Sequence, residues 1–155
     1  MMSIKRTAAV FGATGAMAFG AIVPAQAATD AATMGGDDSK ATCRISAQRP
    51  YIVGGVGRTA AGKALVRCVG GGAQIRVQVF LQKKIGYRWV NQRPPTTCVG
   101  FVGSGQTKSC TERNGASPGL WRTWAKGTIV SNGSSAVAIS GTTRFVPAKA
   151  GLAAS

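Results

Sequence analysis

The stretch QIRVQVFLQKK, residues 74–84, decides the fold because its side chains alternate between apolar and polar types. In an extended chain, Ile75 and Val77 point to one side while Arg76 and Gln78 point to the other. Strict alternation that includes β-branched residues predicts a strand with one buried and one exposed face. We therefore expect a β-rich fold whose core lies on one side of this strand.

Turn signals divide the rest of the chain into short segments of similar pattern. Lys83–Gly86 predicts a hairpin turn that leads into a return strand over Tyr87–Asn91, and Asn132-Gly133 predicts a second hairpin. Residues 120–130 alternate like the first stretch, and turns recur about every 8–12 residues. The sequence predicts an all-β fold: a small antiparallel β-sandwich, immunoglobulin-like or related, with roughly seven to nine short strands over residues 42–146.

Four cysteines favour two disulfides in an exported chain, because thiols oxidise outside the cytosol. Three pairings are possible, and we expect Cys43–Cys68 and Cys98–Cys110 since shorter chain separations close more readily. Each bridge would stabilise the fold by about 3 kcal/mol in the chain-entropy model. No two cysteines have C-x-x-C spacing and the chain has no histidine, so we expect no bound metal.

The two ends of the chain have the composition of segments outside the fold. Residues 1–27 combine a short positive segment, an uncharged run and a small-residue cleavage site, which predicts a secretory signal peptide cleaved after Ala27. Because the uncharged run is short and rich in glycine, we expect no transmembrane anchor. Residues 28–41 are predicted to be a flexible arm and residues 147–155 a disordered tail. The expected location is extracellular.

The charge balance argues against catalysis. The chain carries 19 Lys and Arg against 4 Asp and Glu, a net charge of +15, and Glu112 is the single acid within residues 42–146. Without histidine no Ser–His–Asp triad is possible, and one carboxylate cannot form the paired site of a glycosidase. Residues 57–63, GRTAAGK, resemble a phosphate-binding loop, but Ala64 replaces the required Ser or Thr, so we expect a basic, glycine-rich turn. We predict a protein that is not an enzyme and has no cofactor, with a Ser–Lys catalytic site left open as the alternative.

Basic and aromatic residues interleave along the predicted strands. Because neighbours in a strand face opposite sides, Trp89 and Trp121 are expected in the core and Arg88 and Arg122 in solvent. A cationic face with aromatic side chains is suited to a polyanion, because cations attract phosphates and rings stack on bases or sugars. The candidate polyanion-contact residues are Arg76, Phe80, Lys83, Lys84, Arg88, Arg122, Trp124 and Lys126.

The segment LWRTWAKG, residues 120–127, is similar to a Y/W-R-T-W-A-x-G strand of uncharacterised small secreted two-disulfide β-domain proteins of actinobacteria. The resemblance implies an exported two-disulfide β domain and carries no assigned function. From the charge we expect a binding module for an anionic partner: a wall polymer, an acidic polysaccharide, nucleic acid or membrane headgroups. The alternative is a subunit or inhibitor in a secreted protein assembly, including an antagonistic one.

Overall fold

The structure, a computed structural model, describes residues 31–35, 40–54 and 58–147. These ranges contain eleven β-strands and no helix, and hence no helix that could span a membrane. The all-β prediction is confirmed, with more strands than the expected seven to nine. The strands are β1 (Ala31–Met34), β2 (Thr42–Ala47), β3 (Tyr51–Val53), β4 (Thr59–Val69), β5 (Ala73–Ile85), β6 (Arg88–Asn91), β7 (Thr96–Val102), β8 (Thr107–Gly115), β9 (Gly119–Ile129), β10 (Ser135–Ile139) and β11 (Thr143–Phe145).

The strands form two antiparallel sheets, which we call sheet A and sheet B. Sheet A has the order β1, β2, β4, β8, and β3 lies beyond β2 along the same edge of β4. Sheet B has β9 and β5 at its centre; β10 and β11 line the far edge of β9, and β6 and β7 line the far edge of β5. Each long central strand is paired on both sides, so its alternation presents one face to the core and the other to solvent.

The core lies between the two sheets. The apolar residues of β5 predicted to face inward are buried, with Ile75, Val77 and Val79 at most 7% exposed. Trp121 of β9 is fully buried, as predicted, and its indole N–H donates to the carbonyl oxygen of Ser117 at 2.8 Å. A buried indole needs such an acceptor, because an unpaired N–H in an apolar core costs free energy.

Both disulfides have the predicted pairing. Cys43–Cys68 joins neighbouring strands β2 and β4 within sheet A, at a directly opposed pair whose Cα atoms are 4.0 Å apart. Cys98–Cys110 joins β7 of sheet B to β8 of sheet A, with a Cα separation of 5.9 Å. One bridge therefore crosslinks a single sheet and the other ties the two sheets together. Two disulfides in a small domain are typical of exported proteins.

Strand β1 corrects the predicted start of the domain. Residues 31–34 fall within the expected flexible arm, yet they pair with β2 along their whole length. Met34 is fully buried. It fills the space above Gly127, where an added Cβ would lie 2.7 Å from the Met34 sulfur. The ordering of β1 thus comes from its neighbours, which a composition of small residues does not reveal.

The predicted glycine-rich turn at residues 57–63 is also wrong from Thr59 onward, where β4 begins. This segment is paired on both sides, with β3 and with β8, so its backbone hydrogen bonds hold it extended. The predicted signal peptide, residues 28–30 and 36–39 of the arm, and the tail after residue 147 lie outside the described residues.

Candidate polyanion-binding face

The outer face of sheet B gathers cationic, aromatic and amide side chains. Residues directly opposite each other on neighbouring strands share a face of the sheet, so the register of β5 with β6 and β9 determines which side chains meet. We call this surface the aromatic–cationic face. The register places on it Arg76, Gln78, Phe80, Gln82 and Lys84 of β5, Trp89 and Asn91 of β6, and Arg122, Trp124 and Lys126 of β9.

Arg122 is fixed at the centre of this face by two contacts. Its guanidinium lies over the ring of Trp89, 4.4 Å from the ring centroid, and its Nε–H donates to Gln82 Oε1 at 2.8 Å. Gln82 in turn donates from Nε2 to Asn91 Oδ1 at 2.8 Å. Burial lowers the pKa of Arg122 below its ordinary value, but a guanidinium stays protonated at neutral pH. The Arg122 guanidinium is therefore a positive charge whose position on the face is fixed by Trp89 and Gln82.

Most of the hydrogen-bond donors of Arg122 are not used by the described residues. A guanidinium has five N–H groups, and within the described part of the chain only the Nε–H makes a hydrogen bond. The four N–H groups on the two Nη atoms can therefore serve a ligand. Because stacking and the Nε bond already fix the side chain, little rotamer freedom is lost on binding. This geometry suits a carboxylate, sulfate or phosphate held by two parallel hydrogen bonds.

Phe80 and Trp124 form a second aromatic element of the same face. Their ring centroids are 5.1 Å apart and the ring planes meet at 78°, an edge-to-face pair. Both side chains are half-buried, and Lys126 follows on β9 while exposed Arg76 lies further along β5. From Arg76 to Lys84 the face is about 26 Å long, at roughly 3.3 Å per residue. Aromatic rings and cations thus alternate along about 26 Å of the face, which is long enough to contact several sugar or nucleotide units of a polymer.

Lys83 lies on the opposite side of β5 from the aromatic–cationic face. Its Nζ donates to Ser117 Oγ at 2.8 Å and lies 6.0 Å from the centroid of the Trp121 ring. Neighbouring residues of a strand point to opposite faces, so Lys83 points inward where Lys84 points outward. The Lys83 side chain therefore covers one end of the core. Lys83 was predicted to contact a polyanion together with the other candidate residues, but it lies on the other side of the sheet from them.

The hairpin between β5 and β6 places two further residues differently from the prediction. Its turn comprises only residues 86–87, because Ile85 pairs directly with Arg88. Trp89 consequently lies opposite Lys84 on the outer face and is not in the core, whereas Arg88 is exposed on the other side. A one-residue shift of register moves every side chain of a strand to the other face.

Four members of the face were not among the predicted contact residues: Gln78 and Gln82, which alternate with them on β5, and the β6 residues Trp89 and Asn91. The two β6 residues are the ones whose side of the sheet was not predicted. The signal that would have identified them is the turn length. Gly86 adopts a φ of 58°, and a two-residue hairpin turn that begins with glycine is among the favoured types. A turn of that length pairs residue 85 with residue 88 and so sets Trp89 beside Lys84.

The cations of the outer faces have no acidic side chain to pair with in the described ranges. Glu112 is the one acidic residue there; it is 5% exposed and accepts a hydrogen bond from the Thr96 hydroxyl inside the sandwich. Within the same ranges, no three His, Cys, Asp or Glu residues come together in a way that could hold a metal ion. Within the described part of the chain, no acidic side chain therefore compensates the surface charge.

No protein-family model matches this chain, and no curated protein matches it. Function is therefore inferred from the site, because a fold alone does not assign one. The resemblance of residues 120–127 to a strand of actinobacterial secreted proteins stays a prediction.

Proposed function

We propose that this protein is a secreted, non-enzymatic binding module whose aromatic–cationic face binds an anionic polymer of sugar units, such as an acidic polysaccharide or a phosphate-linked wall polymer. The observation that carries the proposal is Arg122, stacked 4.4 Å over Trp89 with its Nη donors unused by the described residues. An anionic group would take these donors, while a sugar ring packs against Phe80 and Trp124. The two disulfides and the signal-like residues 1–27 support export.

The combination of groups distinguishes this face from a surface whose charges serve only to keep the protein soluble. Scattered cations alone would serve solubility. Here the central cation is held in place by a ring and an amide, and a second ring pair lies beside it. A fixed donor with adjacent ring surface is an arrangement that recognises a charged group and the ring that carries it.

The first test is retention of the purified protein on immobilised heparin or teichoic acid in a NaCl gradient. Several simultaneous contacts to anionic groups release counterions, so binding should persist at physiological salt, and we expect elution above about 0.15 M. Elution below that concentration from both matrices would contradict the proposal.

A matched pair of charge variants separates a specific face from diffuse attraction. Arg122→Gln and Arg88→Gln each remove one positive charge, but only Arg122 belongs to the aromatic–cationic face. We expect Arg122→Gln to weaken binding about tenfold at fixed salt, which corresponds to about 1.4 kcal/mol, and Arg88→Gln to weaken it less than about twofold. Equal losses in the two variants would show that net charge alone drives retention. Circular dichroism confirms that each variant is folded.

One observation favours the alternative function, a role in a secreted protein assembly. At one end of the outer face of sheet B, the apolar side chains Val99, Phe101 and Val130 are 56%, 56% and 48% exposed. Gln74 of β5 lies between Phe101 and Val130, so the apolar surface is interrupted, but exposed apolar side chains that lie near each other are found at protein interfaces. Under this alternative, a partner protein would co-purify with the native protein and with Arg122→Gln, and would be lost in Phe101→Ser. A native protein that purifies alone as a monomer would count against it.

A further inference from the structure

Sheet A carries a separate pair of arginines on its outer face, on the side of the sandwich away from the aromatic–cationic face. The register places Arg44 of β2 directly opposite Arg67 of β4. Thr33 of β1 flanks the pair on one side and Thr107 of β8 on the other. A single row across four strands therefore reads Thr–Arg–Arg–Thr. Like charges directly opposite each other destabilise a sheet, so this row has an electrostatic cost in the unliganded protein.

No side chain in the described ranges relieves this repulsion. Both arginines are exposed, and neither guanidinium forms a hydrogen bond or ion pair with any residue in the described ranges. Glu112, the single carboxylate there, is enclosed between the sheets. The Cys43–Cys68 disulfide lies at the adjacent position of the same two strands. It holds the strands together, so the two charges remain opposite each other.

The two arginines line a shallow depression of about 440 Å³. Its lining also includes the half-buried Leu65 and the 50% exposed Val69, with hydroxyl side chains of β1, β2 and β8. The volume lies in the range of small-molecule sites, roughly 300–1,000 Å³. Aliphatic side chains, hydroxyl groups and paired cations together match the three kinds of surface on a charged sugar: its C–H face, its hydroxyls and its anionic substituent.

We infer that the Arg44–Arg67 pair and its depression bind an anionic sugar, with the carboxylate, sulfate or phosphate of the sugar bridging the two guanidiniums. The ring packs on Leu65 and Val69, and its hydroxyls bond to the flanking threonines. Binding of the anion replaces the repulsion between the arginines with two charge-assisted interactions. The site is separate from the aromatic–cationic face and stands whether or not that face binds a polymer.

The test is an NMR titration of the intact protein with four probes: glucuronate, glucose 6-phosphate, glucose and sodium sulfate. We expect the two sugar anions to shift backbone amides of β2 and β4 around Arg44 and Arg67, with the tighter of the two identifying the preferred anionic group. Glucose at the same concentration should bind at least tenfold more weakly. Equal binding of glucose would overturn the role of the arginines, and sulfate as tight as the sugar anions would overturn the assignment to a sugar. Shifts confined to other strands would overturn the site.

Two double variants with the same change of net charge provide the control. Arg44→Gln with Arg67→Gln should weaken binding of the sugar anion at least tenfold. Arg93→Gln with Arg113→Gln, two exposed arginines outside the depression, should weaken it less than twofold. The first double variant should also resist unfolding at least as well as the native protein, because the repulsion is gone. A less stable Arg44→Gln/Arg67→Gln protein, or equal losses of binding in the two variants, would overturn the inference.

Discussion

Thr123 shows how a single side chain departs from the rule that buried polar groups are paired. It is fully buried in β9, and its backbone N–H donates a hydrogen bond to Ser140 Oγ at 2.8 Å. Its own hydroxyl has no hydrogen-bond partner in the part of the chain that the structure describes. Burying an unpaired hydroxyl costs about 1–3 kcal/mol.

Replacing Thr123 by valine should therefore stabilise the protein. Thr123→Val keeps the shape of the side chain and removes the unpaired hydroxyl, so we expect the free energy of unfolding to rise by about 1 kcal/mol. Urea unfolding with the disulfides intact measures the change. Thr128→Val, on the half-exposed side of the same strand, is the control and should change stability by less than about 0.5 kcal/mol. A loss of stability in Thr123→Val would show that the hydroxyl has a partner that matters.

At the scale of the strand, alternation predicted the central elements because burial enforces it. The strand predicted at residues 74–84 is β5, Ala73–Ile85, and the one predicted at residues 120–130 is β9, Gly119–Ile129. Both are paired on each side and bury one face against the other sheet, so pattern and structure agree. Strand β1 has no such signal, since its order depends on pairing with β2 and on Met34 above Gly127.

The candidate site was predictable in part for the same reason. Phe80, Trp124 and Arg122 lie in long alternating strands, so their shared face follows from the period. Trp89 follows a tight turn, and its face depends on whether that turn has two residues or more. The hydrogen bond and ring contact that fix Arg122 depend in turn on Trp89 and its neighbours. A local sequence pattern does not predict the exact number of residues in a turn. A difference of one residue moves every side chain of the following strand to the other face of the sheet.

The hairpin turn depends on the backbone conformation of Gly86. Its φ of 58° lies in the left-handed region, and no heavy atom lies within 4 Å of where its Cβ would be. Gly86→Ala should therefore lower the free energy of unfolding by about 1–2 kcal/mol through backbone strain alone. Urea unfolding is the measurement. Gly115→Ala, which also has open space but no positive φ, is the matched control and should be close to neutral; equal effects in the two variants would rule out the conformational cause.

At the scale of the whole molecule, positive charge covers both outer faces of the sandwich. Sheet B presents Arg76, Lys84, Arg122 and Lys126, and sheet A presents Arg44 and Arg67. The one carboxylate in the described ranges is enclosed between the sheets. Self-repulsion of this kind opposes the compact state, and the two disulfides counter it by about 3 kcal/mol each in the chain-entropy model.

Stability should consequently rise with salt. The Debye length falls from about 30 Å at 0.01 M to about 8 Å at 0.15 M ionic strength, which screens repulsion between surface cations. We expect the Tm to increase over this range of NaCl, and a recovery of about 1 kcal/mol would correspond to roughly 4–8 °C. A scanning calorimeter measures the shift. A Tm that falls with added NaCl would show instead that attractive ion pairs dominate the charge interactions.

The Cys43–Cys68 bridge has a mechanical consequence. Tension applied between residues 31 and 147 would pass through the sulfur atoms and bypass the chain that they enclose. Residues 44–67 lie inside that covalent loop, so they cannot lengthen however far the rest of the molecule is drawn out. Both Arg44 and Arg67 belong to the loop. If stretching separated β5 from β9, the bridge would still hold Arg44 and Arg67 close together, because each is bonded to one of the two joined cysteines.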